Sequence, residues 1–276
     1  MLGALRRLAI AGSVLAQCRL ADRLLSSSRP GAVRAAIPWL RLAAEQGDLW
    51  AQYQLGLSYD EGQGVRRNYV EAARWYAASA AQGFDSAQLN LGILYANGLG
   101  VSKNLQKAIQ LYRLAARQKN RNAAYNLASY YEIGRGMPRD QRLAARWYRK
   151  AALWGQIEAQ RILGYHCFEG IGVRKNAQEA VKWYRRAAKR GDDIAQFNLG
   201  LCYKYGDGVN QNKRRAAFWF RKSAAQGYWK AKRQLQRIAS ESRGQVLQSH
   251  RLRAPEIQNL GEIRGNPYRV PKGHVG

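Results

Sequence analysis

Residues 51–86 read AQYQLGLSYDEGQGVRRNYVEAARWYAASAAQGFDS, and residues 87–122 read AQLNLGILYANGLGVSKNLQKAIQLYRLAARQKNRN. Laid one over the other, the two stretches align without a gap, and the same step of 36 residues continues along the chain. Ala51, Ala87, Ala123, Ala159, Ala195 and Ala231 open successive units, and Leu55, Leu91, Leu127, Leu163, Leu199 and Leu235 follow four residues later. A fixed period of this length is the mark of a stacked repeat and outranks chain length as a guide to organisation.

Each unit reads as two helices. Helix A runs roughly from Ala51 to Glu61, with Leu55 and Tyr59 one turn apart on one face. Gly56, Gly92, Ala128, Gly164 and Gly200 sit beside that face, where a small residue lets the second helix approach. Helix B begins after Asn68, Asn104, Asp140, Asn176 or Asn212, residue types whose side chains accept from the free amides of a first turn. Its core columns are Ala72, Ala108, Ala144, Ala180 and Ala216, and the aromatic pairs Trp75-Tyr76, Trp147-Tyr148, Trp183-Tyr184 and Trp219-Phe220. Gly83, Gly155, Gly191 and Gly227 end it, the usual residue for a left-handed helix end, whereas Lys119 stands at that position in the second unit. The connection between A and B carries paired glycines such as Gly62 and Gly64. No strand precedes them and no Lys-Ser/Thr follows, so the pair signals backbone geometry and not a phosphate loop.

The AQ-x-x-LG-x-x-Y opening, the G-x-G-V loop and the A-x-x-W-Y-x-x-x-A-x-x-G second helix resemble the Sel-one-like repeat, a relative of the tetratricopeptide repeat. The resemblance covers about residues 32–240 and implies an all-α, right-handed superhelical solenoid of antiparallel helix pairs. It also implies a non-enzymatic scaffold or adaptor that presents a concave groove to a segment of a protein partner. The domain reading is a degenerate N-terminal repeat or signal segment over 1–31, the solenoid over 32–241, and a flexible basic tail over 242–276. For the N-terminus two readings stand. Arg6-Arg7, the apolar run Leu8–Ala16 and Cys18 suit a secretory or lipoprotein signal; Ala9, Gly12 and Ala16-Gln17 fit the repeat columns, and this is the reading preferred. Pro38 falls inside a B helix and is expected to kink or restart it.

By the same resemblance, helix A lines the groove. The columns concerned are Tyr53, Leu89, Tyr125, Arg161 and Phe197; Leu57, Ile93, Ser129, Tyr165 and Leu201; and Asp60, Ala96, Glu132, Phe168 and Lys204. They vary from unit to unit while the packing columns do not, as a binding face allows.

The chain carries 46 Lys and Arg against 18 Asp and Glu, a formal charge of +28 spread along its whole length. Such a field favours anionic partners. Arg113, Arg149, Arg185 and Arg221, with Lys150, Arg186 and Lys222, form basic columns on helix B, so a polyanion-binding outer stripe is the alternative function; a merely solvated face is the simpler reading of it. The three cysteines, Cys18, Cys167 and Cys202, have no metal-binding spacing, and neither a metal nor a cofactor is expected. His166 and Cys167 are neighbours on a helix and point apart, which argues against a nucleophilic couple. No stretch is apolar enough to span a membrane. A monomer is expected, in the cytoplasm or, if Cys18 is a lipidation site, in the periplasm or on a lipid anchor.

Overall fold

The computed structural model describes residues 2–242, and the tail expected from 242 onward lies, from 243, outside the described residues. Among the described residues the chain is all-helical, an antiparallel hairpin repeat of the solenoid type. In chain order the helices are α1 (Leu2–Ile10), α2 (Val14–Leu25), α3 (Ala32–Glu45), α4 (Leu49–Glu61), α5 (Tyr69–Ala81), α6 (Asp85–Asn97) and α7 (Leu105–Arg117). There follow α8 (Arg121–Ile133), α9 (Gln141–Leu153), α10 (Ile157–Glu169), α11 (Ala177–Lys189), α12 (Asp193–Tyr205), α13 (Lys213–Ala225) and α14 (Trp229–Ser242). Contacts divide the chain into two units, 1–127 and 128–276, with the division inside α8.

Local chemistry sets the ends of each helix. Asp48 Oδ1 accepts from the amide of Ala51 at 2.8 Å and starts α4. Gly62, in the left-handed region at φ 72°, stops it. Asn68 Oδ1 then accepts from the amides of Val70 and Glu71 at 3.0 and 3.2 Å and starts α5. The loop between them is tied by a backbone bond from the Asn68 amide to the Tyr59 carbonyl (2.9 Å), repeated from Asn104 to Tyr95, Asp140 to Tyr131, Asn176 to Cys167 and Asn212 to Tyr203. At the far end of α5, Gly83 donates to Ala80 and Phe84 to Ser79, closing the helix with Gly83 at φ 92°. Lys119 takes the same left-handed conformation, φ 66°, without being glycine.

Packing follows the columns. The rings of Tyr76, Tyr112, Tyr148, Tyr184 and Phe220 are buried, and for all but Tyr148, whose repeat carries Ala128 instead, a glycine on the facing A helix makes room. A Cβ at Gly56 would stand 2.7 Å from Tyr76 Cδ1, and one at Gly164 2.7 Å from Tyr184 Cδ1. The second loop glycine has a further role that its φ alone does not explain. A Cβ on Gly100 would run into the Tyr69 carbonyl at the start of α5, one on Gly172 into Gln141 at the start of α9, and one on Gly208 into Ala177 at the start of α11. These loops therefore rest directly on the backbone of the preceding B helix.

The glutamine of each Ala-Gln pair joins consecutive hairpins. Gln52 Nε2 donates to the Ala44 carbonyl (3.1 Å), Gln88 to Ala80 (3.3 Å), Gln160 to Ala152 (3.0 Å) and Gln196 to Ala188 (3.1 Å). These are carbonyls of a helix end, which lack partners within the helix. Gln17 does the same for Ala9 (3.1 Å), so α1 and α2 meet with the geometry of a repeat joint. A second glutamine from the next B helix completes the ladder: Gln82 reaches both Gly47 O and Gln52 Oε1, and Gln226 reaches Gln196 Oε1.

The helix does not restart at Pro38. α3 runs without interruption from Ala32 to Glu45, with Pro38 on its exposed side, where the ring displaces no core contact.

Candidate partner-binding faces

Within each unit, successive repeats touch through polar side chains of their A helices. In the second unit His166 Nε2 of α10 lies 3.0 Å from Glu132 Oε1 of α8, and Tyr148 OH donates to Glu132 Oε2 at 2.7 Å. Burial works to raise the Glu132 pKa, but the hydrogen bonds from His166 and Tyr148 outweigh it and hold the carboxyl below its ordinary range. Arg161 pairs with Asp192, the N-cap of α12, at 2.9 Å, and Lys204 Nζ donates to Gln234 Oε1 at 2.7 Å. In the first unit Tyr76 OH donates to Asp60 Oδ2 (3.2 Å) and accepts from Asn90 Nδ2 (3.1 Å). Burial raises the pKa of both Tyr76 and Asp60, so the phenol keeps its proton as donor.

The expected groove residues divide into two groups. Tyr53 and Tyr125 in the first unit, and Tyr165 and Phe168 in the second, keep part of their surface open. Tyr53 is braced edge-on by Phe84 (centroids 5.0 Å), and Phe168 carries the Lys175 ammonium 5.8 Å from its ring. Phe197 is different: at 2% exposure it packs on Phe220 and Tyr228 and belongs to the core, as does Leu89. Arg161 is held by Asp192 with both side chains only about a tenth exposed (11% and 10%), which makes it a joint between repeats.

The basic columns divide in the same way. Arg185 donates to Tyr203 OH on the next A helix (3.2 Å), and Arg41 to Tyr59 OH in the first unit (3.1 Å). Where Cys167 replaces that tyrosine, Arg149 turns to Glu179 at 2.7 Å. These arginines connect neighbouring helices. Lys150, Arg186, Arg221, Lys222 and Arg113 are exposed on helix B. Lys150 lies 4.2 Å from the Trp147 ring and Arg186 4.5 Å from Trp183, cation–π contacts within one helix.

Cys167 and Cys202 are buried, and burial pushes their thiols up to about 11 and about 12 respectively. Cys18, inside α2, is likewise pushed up to about 12, first by burial and then by Asp48. His166 turns to Glu132 and Cys167 into the core, so the adjacent pair forms no couple. Among the described residues no group of His, Cys, Asp and Glu suits a metal, and no helix is long and apolar enough to cross a membrane.

The repeat model named Sel1 repeat matches six consecutive segments, 14–48, 51–84, 85–120, 121–153, 157–192 and 193–228. The chain belongs to the Sel1 repeat family. Sel1 repeats typically serve as protein-interaction scaffolds and are generally not catalytic. The crystal structure of a protective antigen present in uropathogenic Escherichia coli strains, with the same repeat fold, is similar to it at 34% identity and a TM-score of 0.82. That match takes in 88% of this chain but only 52% of the antigen, so the chain spans about half the length of that relative. A Sel1 repeat protein from Oxalobacter formigenes is 33% identical with a TM-score of 0.68, over 77% of this chain and 85% of that one. Nothing among curated protein sequences matches.

Proposed function

We propose that the chain is a non-enzymatic scaffold whose A helices hold an extended or helical segment of a protein partner. The observation that supports this is the set of partly open aromatics, Tyr53, Tyr125, Tyr165 and Phe168, at repeat positions where packing does not demand an aromatic. Serine, leucine, isoleucine or aspartate fill the same columns elsewhere. Large rings braced from the side offer contact area at little entropic cost, as groove recognition requires.

Site-specific photocrosslinking tests the reading. A benzophenone side chain at Tyr125 or Tyr165 traps the partner, and one at Lys150 on the outer face does not. Equal trapping from both faces refutes it.

A second reading rests on the exposed cations Arg113, Lys150, Arg186, Arg221 and Lys222, within a chain of charge +28: binding of a polyanion, nucleic acid or anionic polymer, along helix B. That mode loses affinity steeply with added salt. A flat salt response excludes it.

A further inference from the structure

A cleft of about 810 Å³ opens where the α10–α11 loop meets the start of α9, and three arginines are among the residues that line it: Arg139, Arg142 and Arg174. All three side chains are exposed, and none makes an ion pair or hydrogen bond within the described residues. The one carboxylate in the lining, Asp140, is engaged as N-cap of α9, accepting from the Leu143 amide at 2.8 Å. Gly172, at φ 64°, brings the loop backbone against Gln141 at the start of α9, and Gly170, at φ 85°, likewise adds no side chain to the opening.

The repeat itself supplies the control. At the corresponding positions the joints seated through Gly100 and Gly208 carry Arg67, Val70 and Ser102, and Lys175, Gln178 and Asn210. Stacking the loop on the helix therefore does not require three arginines, since the other joints stack without them.

We infer that this cleft binds the phosphoryl group of a small phosphate monoester. Three guanidiniums less the Asp140 carboxylate leave a net of two positive charges around the opening. A ligand carboxylate brings one negative charge, whereas a phosphoryl monoester brings about −1.5 to −2 at neutral pH and presents three acceptor oxygens. The planar forks of arginine match those oxygens in pairs. The volume exceeds what a bare phosphate fills, which leaves room for the body of the ester. The inference is independent of the A-helix face.

The experiment is calorimetric titration of the full chain, in buffer of physiological ionic strength, with ribose 5-phosphate, inorganic phosphate and citrate. Ribose 5-phosphate saturates one site. The double variant Arg142→Gln/Arg174→Gln weakens it by about tenfold or more, since each arginine contributes charge-assisted bonds. Lys150→Gln/Arg186→Gln, which removes the same charge elsewhere on the surface, leaves the affinity within about twofold. Inorganic phosphate that binds more weakly than the ester supports a pocket for the ester body, and phosphate that binds equally well overturns that part. No saturation, equal loss in both double variants, or citrate binding as tightly as the ester overturns the assignment.

Discussion

Replacing Gly100 by alanine tests the claim that the α6–α7 loop is seated on the preceding B helix, α5. Two costs act at this site. The residue sits at φ 67°, where an L side chain pays roughly 1–2 kcal/mol. Its Cβ would also overlap the Tyr69 carbonyl and lie 2.5 Å from the Val70 amide nitrogen. These are backbone atoms in the first turn of α5, fixed by the helix ladder, so no side-chain rotation relieves the contact. Overpacking of this kind costs about 1–3 kcal/mol, while the stiffer unfolded chain returns about 0.4–1 kcal/mol. The net expectation is a loss of about 2–4 kcal/mol. Gly83→Ala is the matched control: φ is 92°, yet nothing lies within 4 Å of the added carbon, so the conformational cost stands alone at about 1 kcal/mol. Urea unfolding followed by far-ultraviolet circular dichroism gives the two midpoints. Repeat stability adds up from neighbouring units, so hydrogen exchange should place the Gly100→Ala loss in α5 to α7. If both variants lose the same amount, the loop does not rest on the helix as described.

Lys119→Gly relieves the left-handed strain at φ 66° and should raise stability by up to about 1 kcal/mol, read as a higher thermal midpoint. Glu132→Gln should be less stable than the native chain at pH 7 and draw level with it in acid, as urea midpoints across pH will show. The folded carboxyl titrates below its ordinary 4.5, so the unfolded state binds more protons in that window; the stabilisation is complete above 4.5 and is lost as pH falls through the lower folded value.

Much of the hairpin was legible in the sequence, because its punctuation is local. Asn68, Asp140 and Gly83 act on amides and carbonyls within a few residues of themselves, so identity and position sufficed. The joints between hairpins were not legible in the same way. Gln52 meets Ala44 eight residues back and Gln82 thirty residues on, and nothing in the Ala-Gln spelling says where the amide goes. The arginine column reads as a free stripe until Tyr203 and Glu179 are seen opposite Arg185 and Arg149. Phe197 reads as a groove residue because its column varies, but Phe220 replaces tyrosine behind it and the two rings fill the core together.

What the columns do reveal, once the joints are known, is where the pattern is broken. Trp154 stands where the ladder needs a glutamine, and Arg190, in the same column one repeat later, reaches the Gly155 carbonyl and leaves Gln160 Oε1 without a partner. Cys167 replaces the tyrosine that would tie Arg149, and the inward His166 with its Glu132 has no counterpart in the other repeats. Met137-Pro138 interrupts the loop before Arg139. Lys119 and Pro38 are departures elsewhere, but these fall between residues 128 and 190, the stretch that also holds the three-arginine cleft and the open ring of Tyr165. A solenoid gains nothing in stability from abandoning its own consensus, so clustered departures point to a demand other than packing. The variants at Arg142 and Arg174, and the crosslinker at Tyr165, are aimed at that stretch for this reason.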